Sequence, residues 1–420
     1  MAKQILKIHD LAFASRPETM MGKIICYDCK DIAFSPYGDY WRHMRKLSTL
    51  ELLSAKMVKS FSPIRQEELS SLLSSIGSME VDLPINLPEK LLWFMNAATC
   101  RSAFGNVCKD QKELIKLIHQ AQSLAGGFEL ADLFPSKRFL HGISGMKSKL
   151  MKARNKVDVV LDNIINVHRE NRANGKSCNG ESGAKDFIDV FLRIIESGEF
   201  PLPLTNDNIK AVVLDMFVAG FDTSSSTIIW ALSEMIKSPS VMAKAQAKVS
   251  KVFKGKKTFD DETDLEKLTY LKLVIKETLR LHPPTPLLVP RECREETNID
   301  GFTIPLKSKV LVNVWAIGRD PESWKNPECF IPERFENSSI EFIGNHFQFL
   351  PFGAGRRICP GIQFGLALVT LPLAHLLYKF DWKLPEGINK DLDMTEANGI
   401  SARRQSDLYL IATPYVSPND

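Results

Sequence analysis

A cysteine near the C-terminus stands in a setting that suits a metal-bound thiolate. Cys359 lies in the stretch PFGAGRRICPG, residues 351–361, and an apolar run from Ile362 to Leu377 follows it. The small residues in this stretch allow a large flat ligand to approach the backbone closely. If Cys359 begins the helix that follows, the free backbone N–H groups of the helix N-terminus stabilise a negative sulfur. The stretch therefore predicts metal ligation by sulfur.

Two simpler interpretations of this stretch compete. A single cysteine before an apolar helix is usually a buried small hydrophobe. The glycines at 353 and 355 also suggest a dinucleotide-binding loop, but position 358 is Ile instead of glycine, and no strand of a βαβ unit precedes it. The dinucleotide loop is therefore set aside.

The full pattern, Phe-x-x-Gly-x-Arg-x-Cys-x-Gly, resembles the haem-thiolate signature of the cytochrome P-450 monooxygenases at every fixed position, and this match outweighs the simpler interpretations. It implies haem b as the cofactor, with Cys359 as the axial ligand of the iron. Phe352 would shield the sulfur from water, and Gly355 and Gly361 would let the haem approach. Arg357 offers a fork of donors suited to a haem propionate.

Two further segments carry side chains that the resemblance assigns to the haem propionates. Asp39 or Tyr40 begins a predicted helix in which Trp41 and Arg45 share one face, because they are four residues apart. Ordinary packing is the usual explanation of such a pair when it stands alone. Arg291, in a predicted strand, resembles a third arginine that reaches a propionate.

A long helix is predicted in the middle of the chain. Thr205 or Asp207 caps it, and it runs to about Lys237, just before Pro239. At 1.5 Å per residue, about 30 residues span about 45 Å, enough to cross a whole domain.

Within this helix lies a polar run, AGFDTSS, at residues 219–225. Burying these side chains costs stability unless they are paired or used, although a helix–helix contact of small residues is the simpler explanation. The run resembles the oxygen-activating segment of the family. The resemblance implies that Gly220 leaves room for a ligand and that Asp222 and Thr223 relay protons as catalytic residues.

A charged triad is predicted next. Glu277 and Arg280 are three residues apart on a helix that ends near His282, a spacing that usually gives only a weak surface ion pair. With Arg334 they resemble the interior salt-bridge triad of the family, a structural feature that is costly to break once buried.

Substrate contacts follow from the resemblance alone. The loop from Arg16 to Gly38 would cover the substrate pocket, and two apolar segments would line it. The lining residues are Pro286, Leu287, Leu288, Val289, Ile400, Ser401 and Ala402.

Composition sets wider limits. The 420 residues are 44% hydrophobic with a net charge of +4, which permits one large enzyme domain and argues against nucleic-acid binding. The 8 cysteines are irregularly spaced, so reduced thiols are expected, and the single CxxC pair at 26 and 29 is weak as a metal site. Residues 143–171 predict an amphipathic helix, residues 171–184 a surface loop, and Val310 to Val314 a buried strand.

No run of 18 or more apolar residues occurs, so no transmembrane helix is predicted. The segments at residues 35–42, 276–283 and 380–382 resemble plant microsomal members of the family, which carry an N-terminal anchor, a hinge and first strands that this chain is expected to lack. The resemblance implies the cytosolic face of the endoplasmic reticulum membrane, with the membrane surface as a partner in the full-length form. Without the anchor, this chain is expected to be peripheral or cytosolic.

The predicted fold is mainly α, the cytochrome P-450 fold with a small β-sheet region, as a single domain over residues 1–420. The predicted function is insertion of one atom of O2 into a C–H bond of a small apolar plant metabolite, a terpenoid first and an alkaloid second. Electrons would come from NADPH through a separate NADPH-cytochrome P-450 reductase, since the chain has no flavin or nicotinamide motif. A non-redox haem-thiolate rearranging enzyme and a non-catalytic haem-binding fragment are the alternatives.

Overall fold

The computed structural model describes residues 1–80, 82–105, 113–118, 145–175, 185–198, 200–255, 262–386 and 392–415. Most of the surface loop predicted over residues 171–184 lies outside these residues, since 176–184 are not among them. At residues 171–173 the prediction was wrong, because the preceding helix continues to Ala173.

Helices dominate the described residues. The α-helices are α1 Met20–Ile24, α2 Asp39–Leu47, α3 Ala55–Ser60, α4 Ser62–Gly77, α5 Leu87–Phe104, α6 Met146–Ala173, α7 Phe187–Ser197, α8 Asn206–Lys237, α9 Pro239–Phe253, α10 Glu262–Lys267, α11 Thr269–Leu281, α12 Val314–Ile317 and α13 Ile362–Lys379. Residues 113–118 are helical as well. Gln4–Ile8 and Ser48–Leu52 form π-helical turns, and Pro332–Phe335 and Gly355–Arg357 form 3₁₀ turns.

The predicted helices are confirmed, and local signals explain their ends. Helix α2 begins at Asp39, as its sequence indicated. Helix α8 stops at Lys237, and Pro239 then occupies the first turn of α9, where its missing N–H costs nothing. The loop predicted from Arg16 to Gly38 contains the additional short helix α1, which is capped by the Thr19 side chain.

The strands are short and all their pairings are antiparallel. They are β1 Ile85–Asn86, β2 Arg291–Glu292, β3 Thr297–Ile299, β4 Phe302–Ile304, β5 Lys309–Val310, β6 Phe380–Lys383 and β7 Tyr409–Pro414. They form a three-stranded sheet in the order β1-β7-β6 and two pairs, β2-β5 and β3-β4.

The strand predicted from Val310 to Val314 is wrong in extent. Only Val310 pairs, and Val314 already begins helix α12. The Asn313 side chain accepts a hydrogen bond from the backbone N–H of Ala316 and so caps that helix. Branched side chains favour a strand, but this cap ends it.

The chain divides into two compact units, and the boundary falls within α8, after Gly220. The first unit comprises Met1–Phe61, Asn96–Gly220 and Val289–Val312. Here α1 packs against α6 through a buried cluster that includes Met20, Ile24 and Leu150.

The second unit comprises Ser62–Met95, Phe221–Leu288 and Asn313–Asp420. Its centre is α13, which packs against α4, α9 and α11 and is buried along most of its length. Pro372 lies inside this helix.

Helices α8 and α13 are long and apolar enough to cross a membrane by length and composition. Of their most apolar windows, 67% and 61% respectively are buried within the protein. A buried core helix can have the same length and composition as a membrane-spanning helix, so these two properties do not place either helix in a membrane.

Candidate active site

The Cys359 segment forms a tight turn ahead of α13 in the second unit. The Cys359 N–H donates to the carbonyl of Phe352 at 3.0 Å, and Ile358 N–H donates to Gly355 at 3.1 Å. Gly353 and Gly355 have φ values of +70° and +71°, a left-handed conformation that explains why glycine stands at both positions. Cys359 itself does not begin α13, because Gly361 is the N-cap residue of that helix. Its thiol therefore lies just before the helix N-terminus.

The surroundings of Cys359 fit a flat metal-bearing ligand such as haem. The cysteine is partly exposed and is not in a disulfide. A Cβ added to Gly361 would meet no atom within 4 Å, so there is open space at this glycine, two residues after the cysteine. The half-buried Phe352 ring stands edge-on to Phe342 at 5.4 Å, and the Arg357 side chain is buried. A segment that carries a soft sulfur donor, an aromatic ring, a buried guanidinium and a glycine next to open space matches the needs of a haem iron and its propionates.

The predicted proton-relay residues lie in the same unit. Asp222 is buried, and its carboxylate forms an ion pair at 2.7 Å with Nε of Arg403, whose side chain is 50% exposed. Four buried hydroxyl residues continue the polar run along α8, from Ser224 to Thr227. The Ser224 hydroxyl lies 3.8 Å from the position that a Cβ on Gly365 would take, so this part of α8 packs against α13, the helix that follows Cys359.

Arg403 is a site residue that the sequence analysis missed. It directly follows the predicted substrate contact Ala402, and its guanidinium joins solvent to a buried carboxylate. Its place beside an apolar contact segment was the only available signal, because its partner Asp222 is far away in the chain.

The predicted triad is brought together. Arg280 Nε and Nη2 each donate to the Glu277 carboxylate at 2.8 Å, and Arg334 Nε donates to it at 2.8 Å. Both arginines also donate to the carbonyl of Cys329, at 3.1 and 3.0 Å. The Glu277 and Arg280 side chains are 0% exposed, so this is an interior cluster with its donors and acceptors satisfied.

Gly318 is part of this arrangement. Its carbonyl accepts from Arg280 Nη1 at 2.5 Å. A Cβ at this position would lie 2.3 Å from the backbone oxygen of Arg280, which is closer than atoms tolerate. Glycine is therefore required for the close approach of the two backbones.

The two predicted substrate-contact segments meet in the second unit. The Ala402 N–H donates to the carbonyl of Pro284 at 2.9 Å, just before the segment that includes Leu288. Leu288 Cδ1 lies 3.4 Å from the Cβ position of Gly353, so this segment adjoins the Cys359 turn. Val289, the last residue of the first segment, belongs to the first unit.

The remaining predicted cofactor contacts lie in the first unit. Trp41 is buried, and its Nε1 donates to the carbonyl of Ile32 at 3.0 Å. Arg291 Nη1 donates to Asp10 at 3.3 Å, and burial lowers the pKa of Arg291 despite the charge of Asp10. Arg45 is half-buried on α2, and Gly220 ends the unit on α8. The roles of these four residues toward haem stay predictions.

The predicted covering loop is fixed in the first unit by a buried pair of carboxyl groups. Asp215 of α8 accepts from the N–H groups of Ile32 and Ala33 at 2.7 and 2.9 Å, and Asp31 accepts from Phe34 N–H at 2.9 Å. The other oxygen of Asp31 is buried without a hydrogen-bond partner. Burial, with the charge of Asp215, raises the pKa of Asp31 well above its usual range. Burial raises the pKa of Asp215 to about 6, against the backbone donors that lower it. We infer that a proton shared between the two groups is the missing partner.

This pair predicts a pH-dependent stability. Because the folded protein keeps a proton on Asp31 that the unfolded chain has already lost, stability is present at low pH and is lost as the pH rises. The free energy of unfolding should fall by up to about 1.4 kcal/mol per pH unit for each proton retained, from about pH 4, where aspartates of the unfolded chain lose their protons, to at least about pH 6, the pKa of Asp215. Asp31→Asn, which can donate to Asp215 and accept from Phe34, should flatten this fall in urea titrations. Asp28→Asn, the same change at an exposed neighbour, is the control and should keep the pH dependence of the parent. If Asp31→Asn also keeps the pH dependence of the parent, the shared proton is contradicted.

A mainly helical fold, with a partly exposed cysteine just before a buried helix and an acid–hydroxyl pair on a long helix packed against it, is the arrangement that the sequence predicted for a haem-thiolate oxygenase. The family model for cytochrome P-450 matches residues 1–410. The chain belongs to the cytochrome P-450 family.

Relatives of known activity agree with this assignment. The chain is 59% identical to premnaspirodiene oxygenase from Hyoscyamus muticus over 99% of this chain and 82% of that protein. It is 57% identical to 5-epiaristolochene 1,3-dihydroxylase from Nicotiana tabacum over 99% of this chain and 82% of that protein. It is 50% identical to germacrene A hydroxylase from Barnadesia spinosa over 100% of this chain and 83% of that protein.

The fold is shared more widely than the sequence. The structure of a zebra fish cytochrome P-450 with progesterone superimposes with a TM-score of 0.81 at 24% identity, covering 99% of this chain and 92% of that chain. The predicted fold class and the predicted enzyme class, a cytochrome P-450 monooxygenase, are therefore confirmed. Membership of the family implies haem iron, O2, a substrate and a redox partner.

Proposed function

We propose that this protein inserts one oxygen atom from O2 into a C–H bond of a terpenoid, using electrons delivered from NADPH by an NADPH-cytochrome P-450 reductase. The observation that carries the proposal is the packing of the Asp222–Thr223 region of α8 against the helix that follows Cys359. The names of the relatives, which are oxygenases and hydroxylases, support the reaction type. The family places such chemistry at the cytosolic face of the endoplasmic reticulum, and we propose the same location.

We assign a role in haem binding or proton transfer to each predicted residue near Cys359 and on α8. Cys359 would hold the haem iron, with Phe352 excluding water and Gly355 and Gly361 leaving space. When bound, haem supplies the oxidising chemistry, and a thiolate ligand favours cleavage of the O–O bond. Asp222, which reaches the surface through Arg403, would admit protons, and the Thr223 hydroxyl would hold a proton near the reacting oxygen.

Three arginines are proposed to bind the propionate groups of the haem. The buried guanidinium groups of Arg291 and Arg357, together with Arg45, would pair with the propionates, and Trp41 would contact them. The Glu277, Arg280 and Arg334 triad would act only as a structural support.

A terpenoid is favoured over an alkaloid by the relatives, whose names describe oxygenation of terpenoids. The predicted substrate contacts at Pro286, Leu287, Leu288, Val289, Ile400 and Ala402 are apolar side chains, which suits such a substrate.

Thr223→Ala tests the proton relay. We expect the variant to bind haem and substrate as the parent does, because one hydroxyl is lost from a side chain that neither the Cys359 turn nor the apolar lining includes. In an assay with a terpene hydrocarbon, NADPH and a plant reductase, it should consume NADPH but release hydrogen peroxide and little alcohol. Asp222→Asn should slow the whole reaction instead, as loss of a proton donor does, by about 10²-fold or more.

Thr227→Ala is the matched control. This variant also removes a threonine hydroxyl from α8, one turn further along. The Thr227 hydroxyl donates to the carbonyl of Thr223 at 2.8 Å. It should keep the parent ratio of alcohol to peroxide. If Thr223→Ala makes alcohol at the parent rate without extra peroxide, the polar run of α8 serves only packing.

A further inference from the structure

Residues 396–404, called the 396–404 loop here, carry three predicted substrate contacts but have little structure of their own. One isolated bridge joins Glu396 to Arg404 at the base. Within the loop, Ala397 N–H donates to Arg403 and Arg403 N–H to Ser401. So short a pairing is marginal alone. The shape of the loop must therefore come from contacts with other elements.

Ala402 is the point where the loop is held. Its N–H donates to the carbonyl of Pro284 at 2.9 Å. Its carbonyl accepts from Ser226 Oγ at 2.9 Å and from Trp230 Nε1 at 2.8 Å, both on α8. The indole of Trp230 thus fixes the peptide next to the predicted contacts Ile400 and Ser401. A residue that holds the Trp230 indole in place therefore also holds the 396–404 loop in place.

His282 fixes the indole. This residue caps the end of α11, and its ring lies flat on the Trp230 ring, with centroids 4.0 Å apart and an angle of 2° between the planes. Its Nε2 lies 2.7 Å from a Glu234 oxygen, and its Nδ1 lies 3.4 Å from a Glu396 oxygen. Both ring nitrogens therefore face carboxylate oxygens, so the ring bridges Glu234 and Glu396. The stack on the indole face adds a further contact.

Charged groups lie around the His282 ring. Burial alone would raise the pKa of Glu396, but the hydrogen bond and charge of His282 and the charge of Arg319 outweigh it and lower that pKa. Arg404, whose Cζ lies 5.7 Å from the Trp230 ring, adds a further positive charge. Two carboxylates thus face the His282 ring nitrogens, and two guanidinium groups lie near Glu396 and Trp230. His282 is therefore the centre of a polar cluster that reaches from α8 to the base of the loop.

We propose that His282 is a positioning residue for substrate specificity: by bridging Glu234 and Glu396 across the Trp230 ring, it sets the place of the contacts at residues 400–402. The specificity part of this inference rests on the proposed function. His282 touches neither substrate nor cofactor, and it acts through Trp230 and Ala402. Loosening it should change where a substrate is oxidised more than how fast NADPH is consumed.

Hydrogen–deuterium exchange read by mass spectrometry tests the positioning directly and does not depend on catalysis. In His282→Gln, which loses the ring stack and one of the two bridges, backbone amides of residues 396–404 should exchange faster by about tenfold. Glu396→Gln, a milder change on the loop itself, should act in the same direction and provides the answer if His282→Gln fails to fold. Lys276→Gln is the matched control, since it breaks a cation–carboxylate pair on α11, with Glu341, and should leave the loop unchanged.

Product analysis then tests specificity. With haem and reductase, His282→Gln should give a mixture of hydroxylation positions from a terpene that the parent oxidises at one main position. Parent exchange rates in both His282→Gln and Glu396→Gln would overturn the proposal, as would equal acceleration in Lys276→Gln. Faster exchange with unchanged products would remove the link to specificity. If the parent protein forms no product, the proposed function fails, whereas exchange still decides whether His282 positions the loop.

Discussion

Cys359→Ala should abolish the red-shifted Soret band of the reduced, carbon monoxide-bound protein. The band requires a thiolate on the iron, and Cys359 is the partly exposed cysteine that the structure places just before α13. We expect complete loss of the thiolate spectrum and of product formation. Far-UV circular dichroism should remain that of the parent, because the side chain shortens by a single atom at a partly exposed turn.

Cys26→Ala and Cys29→Ala are the controls for this experiment. Burial raises the pKa of Cys29 to about 12 and that of Cys26 well above its usual range, so both remain neutral thiols that bind metal poorly. Both variants should keep the band. A thiolate spectrum that survives in Cys359→Ala would refute the assignment of the ligand.

Glu277→Ala should cause the largest loss of stability among the substitutions considered. It leaves the guanidinium groups of Arg280 and Arg334 without their carboxylate, and Arg280 is fully buried. Breaking a buried charge cluster in this way costs about 3–5 kcal/mol. Thermal melts should show a drop of several degrees or failure to fold, with loss of haem binding as a consequence.

Glu341→Gln provides the comparison. Glu341 pairs with Lys276, which lies on α11 next to Glu277. The Glu341 side chain is 45% exposed. An exposed pair of this kind contributes at most about 1 kcal/mol, so the melt should shift little. Equal losses in the two variants would show that the triad is no more important than a surface ion pair.

The ends of helices were predictable because their causes are local. Pro239 and Lys237 mark the end of α8, and a proline acts through its immediate neighbours. The partners of Glu277 were also predictable, since Arg280 is one turn away and the family pattern names Arg334. Short-range chemistry and a family motif therefore gave the helices and the triad.

Partners far apart in the chain were not predictable. Asp31 and Asp215 meet only because the covering loop folds onto α8, and the Arg403–Asp222 pair depends on where the 396–404 loop lies. No spacing rule connects such residues. The prediction of a strand from Val310 to Val314 was wrong for a related reason. Its branched side chains favour a strand, but the Asn313 side chain caps a helix that begins at Val314.

The two donors on the Ala402 carbonyl have a practical consequence for engineering. They hold the loop by its backbone, so the neighbouring side chains are free to vary. Ile400 is 42% exposed, and it follows a glycine with φ of +153° that allows the sharp bend at the tip. A mutant library that diversifies positions 400 and 401 while keeping Gly399, Ala402 and Trp230 should therefore yield many folded proteins, and altered product profiles should be enriched among them.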